Sequence, residues 1–303
     1  MAKILITDGM DKGAVQTLKD MGYEVVEQFF EPEPLKEQVK EFNILIVRSA
    51  TKVRKEIIDS AVETGNLGLI IRGGVGVDNI DVVYAESKGI KVRNTPNASS
   101  LAVAELVLSH MFCLARFIGL SNITMREGKW EKKKYTGIEL GGKTLGIVGF
   151  GRIGKELAKK ASALGMKIIY NDVLGPVKDL SKYTFVSLDE LLTDSDFISL
   201  HVPGEKDEPP LISENEFSKM KDGVYIINCS RGSVVDEKAL LEALNSGKLA
   251  GAGIDVFSEE PTNNFELISH EKVSVTPHIG ASTKEAQERI GEEVVSIVKE
   301  EGL

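Results

Sequence analysis

The chain has 303 residues, 42% of them hydrophobic and 27% charged, with a formal net charge of −9 at neutral pH. That length suits about two domains, and the composition suits a globular protein with a sizeable core rather than a fibrous or disordered one. The acidic balance argues against general nucleic-acid binding, which needs a basic surface to displace counterions, and leaves any anionic small molecule to be met by local arginines.

Cys113 and Cys229 both sit in apolar surroundings, with no CxxC or Cys/His spacing. No metal site or disulfide framework is expected, and reduced thiols in the cytoplasm are the simplest reading. The opening MAKILITDGMDKG lacks the apolar core of a signal peptide. The most apolar window, 101–120, contains Glu105, Ser109, His110 and Arg116. That suits a buried helix better than a lipid span, so no membrane partner is expected.

In chain order, residues 3–8 (KILITD) read as a strand, and 12–21 as a helix stopped by Gly22. A second strand is expected at 23–27, then a loop marked by Pro32 and Pro34, then another helical stretch. Residues 43–49 (NILIVRS) form a continuous apolar strand ending in Arg48-Ser49. A helix at 54–64 and a strand at 67–71 follow, the latter running into Arg72-Gly73-Gly74-Val75-Gly76. Residues 91–96 close a first βα domain. A long helical run follows from a Ser99 or Ser100 cap to about Gly119, apolar on more than one face, which predicts burial between domains or subunits. The basic segment 126–135 reads as a solvated face, with Trp130 a candidate anchor at a subunit contact.

Residues 143–172 (KTLGIVGFGRIGKELAKKASALGMKIIYND) carry the most specific signal. An apolar strand runs into Gly149, Gly151, Arg152, Ile153 and Gly154, and a helix follows with Ile153, Leu157, Ala161 and Leu164 on one face. A second strand then delivers Asp172, 18 residues after Gly154. This is a βαβ unit with the dinucleotide fingerprint. Its glycines permit the turn, the approach of a pyrophosphate and close helix packing, and helix amides meet the phosphate charge. Asp172 would grip a ribose diol and repel a 2′-phosphate, and no arginine follows it, which favours NAD over NADP.

Further strands are expected at 197–202, 224–230, 251–257 and 273–276, ending at His201-Val202-Pro203, Arg231, Asp255 and Pro277-His278. Alternating strands and helices predict α/β architecture: two Rossmann-like or flavodoxin-like parallel-sheet domains with a cleft between them. One is discontinuous, 1–93 plus 277–303, and takes the substrate; the other, 94–276, binds the cofactor. Ligands in such sheets lie at the carboxyl ends of strands. Residues 73–76 are either a plain turn or a row of amides for a carboxylate, and the arginine before them favours the second.

Arg231, Glu260 and His278 are the candidates for chemistry. Histidine suits proton removal because its ordinary pKa is about 6.5, a carboxylate can orient it, and an arginine can hold a substrate carboxylate. Each also has a plainer reading, as a surface ion-pair member, loop charge or a satisfied structural histidine, and spacing alone does not bring them together.

The ordered motifs GFGRIG, NCSRGSVVDEKAL, GAGIDVFSEEP and TPHIGAST resemble the D-isomer-specific 2-hydroxyacid dehydrogenases over nearly the full length. The resemblance implies a catalytic Arg231, Glu260 and His278. It also implies NAD contacts from Gly149, Gly151, Arg152, Ile153, Gly154, Asp172, His201, Val202, Pro203, Cys229, Ser230, Arg231, Asp255, His278, Ile279, Gly280 and Ala281. Asp255 and the backbone near Cys229 would hold the nicotinamide carboxamide. Arg48, Ser49, Arg72, Gly73, Gly74, Val75 and Gly76 would meet a small anionic 2-hydroxy or 2-keto acid. A homodimer is implied, and lysines near Trp130 could add positive potential at a neighbouring subunit's cleft. Two departures stand out. Val75 replaces a threonine common in relatives, and 204–210 (GEKDEPP) replaces their Leu-Thr continuation, which leaves contacts there open. Longer relatives append an amino-acid-sensing domain, for which 303 residues leave no room, so no feedback through one is expected. The competing class is an NAD-sensing, corepressor-like binding protein on the same fold.

Overall fold

The computed structural model describes residues 2–178, 181–204 and 208–302. Residues 205–207 of the divergent 204–210 loop therefore lie outside the described residues. The chain divides into two compact units, Met1–Ser100 with Ala281–Leu303, and Leu101–Gly280. Residues 94–100 thus go with the first unit and 277–280 with the second.

The first unit holds β1 (Lys3–Ile6), β2 (Glu24–Glu27), β3 (Ile44–Val47), β4 (Leu69–Arg72) and β5 (Lys91–Asn94). They pair in parallel in the order β2-β1-β3-β4-β5. The central strands β1, β3 and β4 are covered on both faces and read as apolar runs, while the edge strands β2 (EVVE) and β5 (KVRN) stay partly exposed. Ile4, Ile6, Ile44 and Ile46 pack with Leu18 of the helix Lys12–Asp20 and with Ile290, Val294 and Val298 of the helix Lys284–Glu301. Leu5, Leu45 and Val47 face the other way, onto Ile57 and Ile58 of the helix Lys55–Thr64. The strand order reverses between β1 and β3, so Asp8 and Arg48, just past those two strands, flank the usual ligand position.

The second unit holds β6 (Thr144–Val148), β7 (Lys167–Asn171), β8 (Thr184–Phe185), β9 (Phe197–Leu200), β10 (Val224–Asn228), β11 (Leu249–Ile254) and β12 (Val273–Val275). The order is β12-β11-β10-β9-β6-β7-β8, again all parallel. The reversal here falls between β6 and β9, where the fingerprint turn emerges. The helix Ser100–Ala115 lies close on β11 because Gly253 has no side chain: an ideal Cβ there would sit 2.7 Å from His110 Cβ.

Several elements differ from the sequence expectations. The helix expected after the prolines begins at Pro32 itself and runs to Gln38, since a first helical turn has no use for the missing N–H. The long run expected to reach Gly119 stops at Ala115. Phe117 adopts a left-handed φ of +54°, and a second helix covers Ile118–Arg126. Ser100 does not cap the first helix, for its hydroxyl has no hydrogen-bond partner. Leu164, expected on the buried face, lies beyond the helix end and is 41% exposed. The helix Val82–Ser87 and the two-residue β8 had no clear signal. Among the described residues no single helix is long and apolar enough to cross a membrane.

Candidate active site

Four loops meet the fingerprint turn at one edge of the seven-stranded sheet, because parallel pairing sends every carboxyl end the same way. The fingerprint glycines divide the work. Gly149 takes φ +88°, and a Cβ on it would lie 2.4 Å from the carbonyl oxygen of His201 on neighbouring β9. Gly151 has nothing within 4 Å of where its Cβ would be, so the backbone there stands open. A Cβ on Gly154 would lie 2.4 Å from Gly149 O, which keeps helix and turn in contact. The helix Arg152–Ala163 starts from Gly151 with no side chain capping it. An open backbone before an uncapped helix N-terminus fits a pyrophosphate. Asp172 joins the site through Phe150 N (2.7 Å) and Leu174 N (2.9 Å), which donate to its two oxygens. Each oxygen keeps a lone pair for a ribose hydroxyl.

His201 ends β9. Its Nε2 pairs with Ser199 Oγ at 2.8 Å, while buried Nδ1 has no partner. Burial lowers its pKa to about 4. Val202 packs beside Gly149. At the end of β10, Asn228 Oδ1 accepts from Ser230 N and Oγ, and Asn228 Nδ2 donates to Arg231 O. Arg231 Nη1 in turn donates to Ser230 O at 2.6 Å. Cys229 is buried, and that burial, with Asp255 nearby, raises its thiol well above the ordinary range. Gly232 presses on the next loop: a Cβ there would lie 1.9 Å from Phe257 C.

That next loop carries Glu260. Glu237 fastens it at both ends, accepting from Ser258 N (2.7 Å) and Asn264 Nδ2 (2.8 Å). Glu260 Oε1 accepts from Phe257 N, and Oε2 lies 2.7 Å from His278 Nδ1. Burial raises the Glu260 carboxyl, but the hydrogen bond and charge of His278, the Phe257 amide and the charge of Arg231 outweigh it, so the net shift is downward. An ionised Glu260 only accepts, so His278 Nδ1 carries the proton and Nε2 of the neutral ring is left as the base. His278 itself takes φ +52°, an uncommon conformation for a residue with a side chain. Asp255 is 1% exposed, and its carboxylate accepts from Thr276 Oγ1, Ile279 N and Gly280 N. The structure therefore shows Asp255 binding the loop that carries His278. Ala281 begins the chain's return to the first unit.

The substrate candidates all lie in that first unit. Asp8 accepts from Arg48 N and Thr51 N, and Asn79 Nδ2 donates to Arg48 O and Thr51 O, which fixes the turn holding Arg48 and exposed Ser49. Among the described residues the Arg48 guanidinium has no hydrogen-bond or ion-pair partner. Burial lowers its pKa, opposed by the charge of Asp8. It lines a hollow of about 520 Å³ with Asp11, Thr283 and Lys284. Arg72 folds over Gly74, where a Cβ would fall 1.5 Å from Nη1. Gly73 is buried, Gly76 half-buried and Val75 exposed, with Val75 O accepting from Asn94 Nδ2. Asp8, Asn79, Glu237, Thr276 and His110 are not among the site residues expected from sequence. A polar residue directly after an apolar strand, as at Asp8, or on an apolar helix face, as at His110, is the signal that could have found two of them.

Residues 108–280 match the family model described as the NAD binding domain of D-isomer specific 2-hydroxyacid dehydrogenases. The chain belongs to this family. NAD is its cofactor, and its chemistry is NAD-dependent D-2-hydroxyacid dehydrogenation. It is 48% identical over 99% of its length to a hydroxypyruvate reductase of Thermotoga maritima, 99% of which is covered. It is 46% identical over its whole length to a D-3-phosphoglycerate dehydrogenase of Pongo abelii, of which it spans 58%. Among solved structures, D-lactate dehydrogenase from Aquifex aeolicus, complexed with NAD and lactic acid, superposes with a TM-score of 0.84 at 34% identity, covering 98% of this chain and 94% of that one.

The depressed pKa of His201 has a consequence for stability. The unfolded chain takes a proton on this ring below about pH 6.5, while the fold refuses it until about pH 4. The contribution is whole above the first value and shrinks as pH falls toward the second, by at most about 3 kcal/mol. In urea unfolding, wild type should lose stability across that window more steeply than His201→Asn. Equal slopes would contradict burial of the neutral ring.

Proposed function

We propose that this dehydrogenase oxidises D-3-phosphoglycerate to 3-phosphohydroxypyruvate, the first step of the phosphorylated route to serine. The observation that carries the chemistry is the 2.7 Å contact between His278 Nδ1 and Glu260 Oε2, with Arg231 close enough to lower the Glu260 carboxyl. Bound NAD supplies the hydride acceptor. His278 Nε2 takes the proton of the 2-hydroxyl, and the ionised Glu260 stabilises the imidazolium that forms. Arg231 holds the substrate carboxylate beside the reacting carbon and polarises the developing carbonyl. His278→Asn should lose roughly 10²–10⁴-fold in turnover while NADH still binds. A variant that turns over like wild type would remove the histidine from the reaction.

The phosphorylated substrate rests on Arg48 and Lys284, two cations on one first-unit hollow that Asp11 and Glu288 also line, together with Arg72 at the end of β4. The segments VRSATKVR, GVGVDNID, NTPNASSLAVAE and GKWEKKKYTGIELGGKTLGI also resemble D-3-phosphoglycerate dehydrogenases. A second reading, reduction of hydroxypyruvate or glyoxylate, is favoured by the similarity to the Thermotoga protein. It needs the same three residues and less positive charge. Steady-state assays with NADH and a panel of 2-keto acids separate the two. The first reading expects the highest kcat/KM for the phosphorylated acid, and preference for its unphosphorylated counterpart would favour the second.

A homodimer is proposed on the exposure of Ile118, Ile123 and Met125 along one short helix, with Trp130 79% exposed just beyond it. Sedimentation at micromolar concentration should give twice the chain mass, reduced by Ile123→Glu. A wild-type monomer would count against it.

A further inference from the structure

His278 depends on a backbone conformation that histidine seldom adopts, so something must hold it there. Asp255 does this from below. Its carbonyl accepts from His278 N at 2.8 Å, and its carboxylate accepts from Ile279 N at 2.8 Å and Gly280 N at 2.9 Å. The third donor to that carboxylate, Thr276 Oγ1 at 2.6 Å, leads away from the site to a second histidine. His110 lies on the helix Ser100–Ala115, 2% exposed, with Nε2 3.1 Å from Thr276 Oγ1 and Nδ1 2.9 Å from Ser274 Oγ.

The order of protons along this chain is forced. A carboxylate only accepts, so the single hydroxyl proton of Thr276 goes to Asp255 Oδ1. Thr276 Oγ1 must then accept from His110 Nε2–H. In a neutral ring Nδ1 is the acceptor, and the Ser274 hydroxyl supplies its donor. Burial lowers the pKa of His110, with the charge of Asp255 acting the other way and the net shift downward, which keeps the ring neutral. Three elements share the chain: the helix, the end of β12 and the end of β11. The ring also has a space made for it, since a Cβ on Gly253 would sit 3.1 Å from His110 Cγ. A histidine inside an apolar helix face costs more to bury than a leucine unless both nitrogens are satisfied. Here both are, and the far end of the chain is the turn that carries His278.

We propose that His110 is a positioning residue for the proton-transferring histidine: through Thr276 and Asp255 it holds the 276–280 turn, and so holds the His278 imidazole on Glu260. This rests on reading His278 as the acid–base group. Its reach is through geometry, since small displacements of reacting groups can cost about 10²-fold.

The test uses His110→Leu, His110→Gln, Thr276→Val, the His110→Leu/Thr276→Val double variant and His278→Asn. The readouts are kcat and KM for the best 2-keto acid, and NADH affinity by fluorescence. His110→Leu and Thr276→Val should each lower kcat about tenfold with NADH affinity within about threefold of wild type. Gln at position 110 can still donate to Thr276 and should recover most of the loss. The double variant should be no worse than the poorer single one, because either change opens the same chain. Wild-type kcat in folded His110→Leu, or losses that multiply in the double variant without rescue by Gln, would overturn the proposal. If His110→Leu does not fold, Thr276→Val carries the test, and its retention of kcat overturns the proposal equally. Full turnover in His278→Asn would sink the acid–base reading and this inference together. Loss in His278→Asn with none in the His110 and Thr276 variants sinks only the inference.

Discussion

Parallel pairing is the constraint on which the second unit's site depends. With all seven strands running the same way, the loops after β6, β9, β10, β11 and β12 leave the sheet at a single edge. Residues as distant in sequence as Gly149 and His278 are thereby brought to the same edge of one sheet, in a single row of loops. The remaining precision is local. Gly232 seats the Arg231 loop on the backbone at Phe257, Glu237 fixes the loop of Glu260, and Asp255 fixes the turn of His278. Each of these holds a loop segment, so the candidate side chains take their positions from the loops that carry them as well as from the Glu260–His278 contact.

The electrostatic consequence is an assignment of protons. Glu260 is pushed down by the imidazole, the Phe257 amide and Arg231 despite its burial, so it stays ionised and fixes the proton of His278 on Nδ1. His110 is fixed in the opposite tautomer by the same logic, with an acceptor-only carboxylate at the end of its chain. Both rings connect to Asp255, His278 through its backbone N–H and buried His110 through Thr276.

Much of the fold was legible because its signals are local. Continuous apolar runs such as ILIV and VYIIN mark strands covered on both faces, and the glycines of GFGRIG have the three different environments that the fingerprint assigns them. The meeting of Arg231, Glu260 and His278 was not legible from spacing, only from resemblance, because sheet order decides it. The break at Phe117 went unseen because an apolar residue in a left-handed conformation leaves no mark in a hydrophobic pattern. The role of Asp255 was hidden for another reason: two of its carboxylate's three donors are backbone amides, which sequence does not display. His110 was visible as a polar residue in an apolar window, but its partners, Ser274 and Thr276, lie more than 160 residues away.

The most direct measurement is single-turnover hydride transfer in Glu260→Gln, followed by NADH absorbance with a 2-keto acid that the wild type reduces. Glutamine keeps the size of the side chain but loses the charge, and it can present an N–H to Nδ1, which moves the ring proton to Nε2. A loss of at least about tenfold in the transfer rate, with NADH affinity unchanged, is the predicted result. A wild-type transfer rate would mean that the carboxylate–imidazole pair does not set the chemistry.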